Sequence, residues 1–300
     1  MISPWPYYSK DEIQATSDIL NSGKVNYWTG KVTKTFEEEF SSYCNVPYSI
    51  ATANGSLALS AAYKSLDFQK DDELITTPRT FIATTSEAVR NGIKPIFADV
   101  DLNSGCITAE TIEPLINKKT KGISVVHLGG WPADILKIKD LADTYSLKLV
   151  EDCSQAHGGG YFVDGVFKSV GYLSDVATWS FCQDKIISTG GEGGMVTTNS
   201  IDLYKKIWSL KDHGKNSEKI INTPSSNSFR LIHDEIGTNF RLTEIQSAIG
   251  RIQLKKLDYW NHLRKRNATI IYEELKEIKL LKIPKPPNYI KHAWYKFYAY

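Results

Sequence analysis

Short apolar runs alternate with longer amphipathic stretches between about residue 48 and residue 200. The runs include YSIATA, ELITTP, KPIFADV, GISVVHL and LKLVED, and stretches with helical spacing, such as GSLALSAAYKSL and ADILKIKDLADTYS, lie between them. Runs this continuous leave no strand face for water, so helices must cover both faces of the sheet. The pattern predicts an α/β fold with three layers, in which a mainly parallel sheet lies between two layers of helices.

The residues that follow these apolar runs are expected to share one pocket. Ligands of open parallel sheets bind beyond the carboxyl ends of the strands. Asn54 to Ser56 follow the first run, Thr80 and Phe81 follow the second, and Asp152 to Gln155 follow LKLVED. Because Gly55 and Ser56 open a helix, their backbone N–H groups could bind a phosphate, although Gly-Ser also begins many helices for structural reasons alone.

Asp152 is a carboxylate that a buried strand delivers to the edge of the sheet. An isolated charge is too costly to bury, so this group requires a cation or hydrogen-bond donors. One interpretation is structural, with Asp152 capping a helix or pairing with an arginine. The other is functional, with Asp152 beside a protonated ring nitrogen and Gln155 donating to a substituent of the same ring.

The stretch SFCQDKIISTGGEGG, residues 180–194, adds Ser180 and Lys185 to the set. A lone lysine is usually a solvated charge. A phosphate-binding helix start, a carboxylate, the aromatic Phe81 and a lysine are together the parts needed to hold pyridoxal phosphate. Neither G-x-G-x-x-G nor G-x-x-x-x-G-K-[ST], which indicate dinucleotide and nucleotide-phosphate binding, is present.

Charge and composition narrow the possible partners. Lys and Arg total 36 against 34 Asp and Glu, a net charge of +2 that does not favour nucleic-acid binding. No run approaches the ~18 apolar residues of a membrane span, and the first residues do not resemble a secretion signal. We therefore expect a cytoplasmic protein without a membrane partner.

The cysteines are expected to be small apolar fillers. They lie far apart and form no C-x-x-C pair, so the sequence predicts neither a metal site nor a disulfide framework. The four positions are Cys44, Cys106, Cys153 and Cys182.

The C-terminal part of the sequence predicts a second, smaller α+β domain. Thr243 and Gln246 have the spacing of a capping box at the start of a long helix. After IPKPPNY breaks the chain, HAWYKFYAY has the composition of a strand, and we expect only the beginning of the small domain here. The expected parts are an N-terminal arm packing near the small domain (1–22), a large cofactor-binding domain (23–250), and a linking helix with the start of the small domain (251–300).

Three long motifs, VEDCSQAHG, SFCQDKIISTGGEGG and GTNFRLTEIQSAIGRIQL, resemble those of the DegT/DnrJ family. Its members are pyridoxal-phosphate sugar aminotransferases of the aspartate aminotransferase fold type. The resemblance implies that Lys185 is the catalytic lysine, which forms an imine with the cofactor. It also implies a homodimer in which Asn239 reaches the phosphate of the neighbouring subunit. The implied cofactor-binding residues are Gly55, Ser56, Phe81, Asp152, Gln155, Ser180 and Asn239.

The resemblance also implies a reaction. Family members transfer an amino group, usually from glutamate, to a keto carbon of a nucleotide-linked sugar, for the synthesis of amino sugars and surface polysaccharides. The TGGEGG loop is closer to the TGEGG of members that act at sugar C4 than to the C3 form, although it carries an extra glycine. The CQD before Lys185 departs from the commoner residues.

Two other functions are compatible with the same resemblance. One family branch dehydrates its sugar and carries histidine where this chain has Lys185, so the lysine favours amino transfer. The second is a pyridoxal-phosphate-binding protein without catalysis, which a turnover assay distinguishes. Beside the cofactor residues, His157 is expected to be a buried, hydrogen-bonded supporting residue rather than a group that transfers protons.

Overall fold

A seven-stranded sheet forms the centre of the protein in the computed structural model, which describes residues 5–216, 219 and 233–300. The strand order is β1-β9-β8-β5-β4-β2-β3, and within this sheet only β9 runs antiparallel to its neighbours. A smaller sheet has the order β10-β6-β7. The strands are β1 Tyr48–Thr52, β2 Glu73–Thr76, β3 Lys94–Phe97, β4 Thr120–Val126, β5 Lys148–Asp152, β6 Gly160–Val163, β7 Val166–Ser169, β8 Val176–Ser180, β9 Gly194–Thr198 and β10 Ile290–Lys291.

Helices cover both faces of the large sheet, as the continuous apolar runs predict. Adjacent strand residues point into different cores, so Leu149 joins one hydrophobic cluster and Val150 joins the other. The three-layer α/β prediction is confirmed. The helices are α1 Lys10–Ser22, α2 Val32–Cys44, α3 Gly55–Ser65, α4 Ala83–Arg90, α5 Ala109–Ile112, α6 Ile135–Thr144, α7 Ile201–Lys211 and α8 Glu244–Leu275.

The start of α8 is tied to the start of α2. The predicted capping box of Thr243 and Gln246 is present. Glu244, the first residue of the helix, is fully buried. Its carboxylate accepts hydrogen bonds from the backbone N–H groups of Val32 (2.6 Å) and Thr33 (3.1 Å). A side chain from one helix thereby satisfies N–H groups that the first turn of another helix leaves without partners.

The prediction that HAWYKFYAY forms a strand is wrong, since residues 292–300 adopt no regular strand. Trp294 has φ 52°, in the left-handed region that an extended strand excludes. The segment is instead held by the loop after β4, because the Ala293 N–H donates to the Gly130 carbonyl at 2.8 Å. Tertiary contacts therefore override the local strand preference. The division of the chain into an arm and two domains stays a proposal.

All four cysteines are free, and Cys44, Cys106 and Cys153 are buried in the apolar core as expected.

Among the described residues, no helix has both the length and the apolar composition needed to cross a membrane.

Candidate active site

The start of α3 lies beside the end of β8. Asn54 caps the helix by accepting the Leu57 N–H at 2.9 Å, and the N–H groups of Gly55 and Ser56 have no partner within the helix. A Cβ on Gly55 would lie 2.6 Å from the Cβ of Ser180, so glycine is required for this close approach. The structure thus places Gly55 against Ser180, with Ser56 next in the helix, while a contact of these three residues with a phosphate stays a prediction.

Asp152 ends β5 and is only 6% exposed. Its Oδ2 accepts a hydrogen bond from Thr84 Oγ1 at 2.8 Å, and its Oδ1 accepts one from the Ser154 N–H at 3.1 Å. Asp152 forms no ion pair within the described part of the chain, so the arginine partner that a structural role would supply is not found there. The carboxylate is oriented by two donors and is available to a cationic ligand.

Gln155 and Phe81 lie in the segments that follow β5 and β2. Gln155 Oε1 accepts the Gly129 N–H at 2.8 Å, which fixes the side-chain amide and leaves its NH₂ group as a donor. Phe81 precedes α4, the helix that carries Thr84, and is 68% exposed. An aromatic ring this exposed can cover a flat ligand.

Lys185 lies in the loop after β8, and its side chain is 14% exposed. Its Nζ is 3.2 and 3.3 Å from the two carboxylate oxygens of Asp184 and 5.5 Å from the ring centre of Tyr295. Its carbonyl accepts a hydrogen bond from Trp5 Nε1 at 3.2 Å. The sequence did not assign these partners. The unusual CQD was the available signal for Asp184, whereas the contacts of Tyr295 and Trp5 depend on residues more than 100 positions away.

A buried pair supports the strand ends from behind. His127 and Glu151 are fully buried, and His127 Nε2 is 2.8 Å from Glu151 Oε2. Because His127 Nδ1 accepts the Ala133 N–H at 3.0 Å, Nε2 carries the proton and donates to the carboxylate. The His127 backbone N–H also donates to the Asp152 carbonyl. The pair therefore fixes the ends of β4 and β5, and no local pattern in the sequence indicates it.

His157 is buried as expected, but the expected hydrogen bonding of its ring is wrong, since neither ring nitrogen has a partner of good geometry among the described residues. The ring lies instead against Trp179 and Phe181. Burial lowers its pKa to about 3, and the positive charges of Lys185 and Arg264 act in the same direction. The ring is consequently uncharged at neutral pH. This agrees with a supporting role and disfavours proton transfer.

Asn239 is exposed and lies near the turn between β1 and α3. It forms a β-bridge with Asp212, and its Oδ1 accepts the Arg241 N–H at 3.2 Å. The adjacent Phe240 carbonyl accepts the Ala53 N–H at 2.8 Å. These contacts fix the backbone around Asn239, whereas its contact with a phosphate across a subunit interface stays a prediction.

The site has a separate group for each part of pyridoxal phosphate. The N–H groups at the start of α3 suit the phosphate, the Asp152 carboxylate suits a protonated pyridine nitrogen, and the Lys185 amine suits the aldehyde. A Cβ at the Gly55 position would clash with Ser180, so glycine allows the helix to begin directly beside β8. These residues therefore fit the cofactor.

Comparisons with known proteins support this assignment. The model of the "DegT/DnrJ/EryC1/StrS aminotransferase family" matches residues 6–300. The chain is 35% identical over 290 residues to a dTDP-3-amino-3,6-dideoxy-alpha-D-galactopyranose transaminase of Aneurinibacillus thermoaerophilus, covering 97% of this chain and 75% of the relative. It is 33% identical over 290 residues to a GDP-perosamine synthase of Vibrio cholerae, with coverage of 97% and 74%.

A solved structure extends the similarity to the fold. The aminotransferase of Psychrobacter cryohalolentis superposes with a TM-score of 0.95 at 45% sequence identity, covering 99% of this chain and 76% of that one. The chain thus spans about three quarters of the length of these relatives.

Replacing His127 by alanine tests the buried pair. The His127→Ala variant leaves the buried Glu151 carboxylate with the Gly171 N–H but without its imidazole donor, and we expect a loss of about 2–3 kcal/mol in the free energy of unfolding. Urea denaturation measures this loss. The control is Lys139→Ala, which removes a surface ion pair with Asp143 and should cost less than about 1 kcal/mol. Equal, small losses in both variants would show that the His127–Glu151 pair is not important for stability.

Proposed function

The chain belongs to the DegT/DnrJ/EryC1/StrS aminotransferase family, and from this premise we propose that it transfers an amino group from glutamate to a keto carbon of a nucleotide-linked sugar. It is a pyridoxal-phosphate-dependent aminotransferase. The observation that carries the substrate proposal is the Asp152 carboxylate, which Thr84 orients and which has no ion-pair partner among the described residues. Lys185 follows β8, the strand that pairs with β5 at Asp152, and the relatives of the chain bear the names of nucleotide-sugar enzymes.

The protein residues bind and orient the cofactor. When bound, pyridoxal phosphate supplies a ring that withdraws electrons from the carbon carrying the amino group. Asp152 would keep the ring nitrogen protonated, because a nearby carboxylate favours the charged form of such a group. Gln155 would donate its amide to the ring hydroxyl, and Phe81 would lie against the ring face. The start of α3 and Ser180 would hold the phosphate.

Lys185 would transfer the proton that the reaction moves between two carbons. Its Nζ would take a proton from the carbon that bears the donor's amino group and return a proton at the carbon next to the ring, as a general base and then a general acid. A lysine can also bond reversibly to the aldehyde, whereas histidine cannot. Lys185 therefore favours amino transfer over dehydration.

We further propose the position of amination and the biological role. Amination at sugar C4 is supported by the TGGEGG loop, while one relative's name places the amino group on carbon 3. The proposed role is the synthesis of amino sugars for surface polysaccharide. We also propose a cytoplasmic homodimer with shared sites, in which Asn239 of each subunit reaches the phosphate of the other.

Covalent trapping tests the role of Lys185. After incubation with pyridoxal phosphate and reduction with borohydride, peptide mass spectrometry should find a phosphopyridoxyl group on Lys185. The Lys185→Ala variant should lose this label, and the control Lys139→Ala, at a half-buried lysine of α6, should keep it. A label that persists in the Lys185→Ala variant, or that maps to another lysine in the wild-type protein, would reject the assignment.

Mixed dimers test whether the site is shared. Each subunit of a symmetric dimer would lend Asn239 to the other site, so a dimer of one Lys185→Ala and one Asn239→Ala subunit has one intact site. We expect both parent variants to be weak and an equal mixture to recover about a quarter of the wild-type activity after subunit exchange. Native mass spectrometry verifies that mixed dimers form. Mixed dimers with only the average activity of the parents would exclude a shared site.

A further inference from the structure

We propose that Asp184 and Tyr295 form a positioning pair, which holds the Lys185 amine at the pocket whenever that amine is not bonded to the cofactor. This inference rests on the proposed function of Lys185 as the cofactor-bonding lysine. It assigns a role to a carboxylate in the CQD stretch, where the sequence departs from the commoner residues.

The three side chains form one connected group. Both carboxylate oxygens of Asp184 lie within hydrogen-bond distance of Lys185 Nζ, at 3.2 and 3.3 Å. The Tyr295 hydroxyl donates to Asp184 Oδ2 at 2.6 Å, and its ring centre is 5.5 Å from the same Nζ. Asp184 therefore contacts both the amine of Lys185 and Tyr295, a residue of the C-terminal segment.

The backbone around Tyr295 is fixed by the loop after β4. The Ala293 N–H donates to the Gly130 carbonyl at 2.8 Å, and the Lys296 N–H donates to the Gly129 carbonyl at 2.9 Å. The Gly129 N–H itself binds Gln155. The Asp184–Tyr295 hydrogen bond connects the loop that carries Lys185 to the C-terminal segment. That segment is in turn bound to the loop after β4, which orients Gln155.

The charge states suit this arrangement. Burial acts to raise the pKa of Asp184, but the Tyr295 hydrogen bond and the Lys185 charge outweigh it, so the pKa lies below its usual value. Burial first and Asp184 second raise the pKa of Tyr295, so the phenol keeps the proton it donates. Asp184 is thus a carboxylate at neutral pH and Tyr295 a neutral donor.

The other ionisable groups near Lys185 do not compete for its amine. The pKa of His157 is lowered to about 3, which leaves that ring uncharged. Burial, and then the charge of Glu192, raise the pKa of the Cys182 thiol. Within the described residues, Asp184 is the carboxylate at ion-pair distance from Lys185 Nζ.

The pair addresses a requirement of the reaction. If Lys185 bonds the cofactor, its amine would be released when the amino donor binds, and it would have to remain within reach to move the proton. A flexible four-carbon side chain has many other rotamers, and misplacement by about 1 Å can greatly reduce the rate of such a step. By binding Nζ, the oriented carboxylate of Asp184 favours the Lys185 rotamers that keep the amine at the pocket.

The test measures how readily Lys185 reacts in the protein without cofactor. The protein is treated briefly with acetic anhydride at neutral pH, and the acetylation rate of each lysine is determined by peptide mass spectrometry. The Asp184→Asn variant keeps the side-chain shape but loses the charge that engages Nζ. Because Asp184 is half exposed, we expect Lys185 to react about two- to fivefold faster, with other lysines unchanged.

Further variants separate the two members of the pair. Tyr295→Phe should increase the Lys185 rate by a smaller factor, because the carboxylate remains but loses its anchor. Asp184→Glu, which restores the charge, should return the rate toward the wild-type value. The matched controls are Asp164→Asn, at an exposed turn, and Tyr298→Phe, in the same C-terminal segment, and both should leave the rate unchanged.

Each outcome decides part of the inference. A Lys185 rate that is unchanged in Asp184→Asn overturns the positioning role, and an increase that Asp184→Glu does not reverse attributes the change to altered structure and also overturns it. An unchanged rate in Tyr295→Phe removes Tyr295 from the pair. Borohydride trapping on the wild-type protein is independent of these results, so a label on Lys185 together with unchanged acetylation rejects this inference alone.

Discussion

The buried carboxylate of Asp152 is the constraint on which the site depends. A charge this poorly solvated is stable only where donors or a cation compensate it. Thr84 and Ser154 supply two donors, one from the helix after β2 and one from the turn after β5. The rest of the stabilisation that the Asp152 charge requires is expected to come from a bound ligand. The cost of keeping this charge in the fold is therefore offset most fully when a cationic ring nitrogen binds, which links stability to cofactor binding.

The parallel sheet determines which groups meet around that carboxylate. Because β1, β5 and β8 point the same way, the helix start at Gly55, the acid at Asp152 and the loop of Lys185 all lie beyond one edge. Residues that are distant along the chain therefore meet because the strands that carry them belong to one sheet. The buried His127–Glu151 pair joins the end of β5 to the end of the neighbouring strand β4, so the position of Asp152 depends on a polar contact within the core.

Much of this could be predicted from local patterns. Continuous apolar runs fix the strands and their burial, since each run must be covered on both faces, and the Thr243 capping box marks the start of α8. The prediction failed where distant contacts decide the conformation. HAWYKFYAY has strand composition, but its backbone is held by Gly130 and turned by the left-handed Trp294. Likewise, no local pattern pairs Asp184 with Tyr295, 111 positions away.

Transfer of labelled nitrogen tests the central claim most directly. The protein loaded with pyridoxal phosphate is incubated with ¹⁵N-glutamate and a panel of nucleotide-linked keto-sugars, and the products are analysed by mass spectrometry, with Asp152→Asn as the matched variant. The account predicts a sugar that carries ¹⁵N at the former keto carbon, and loss of most turnover in Asp152→Asn, because the ring nitrogen loses its charged partner. Absence of ¹⁵N from every sugar, in protein whose Lys185 holds the cofactor, would contradict it.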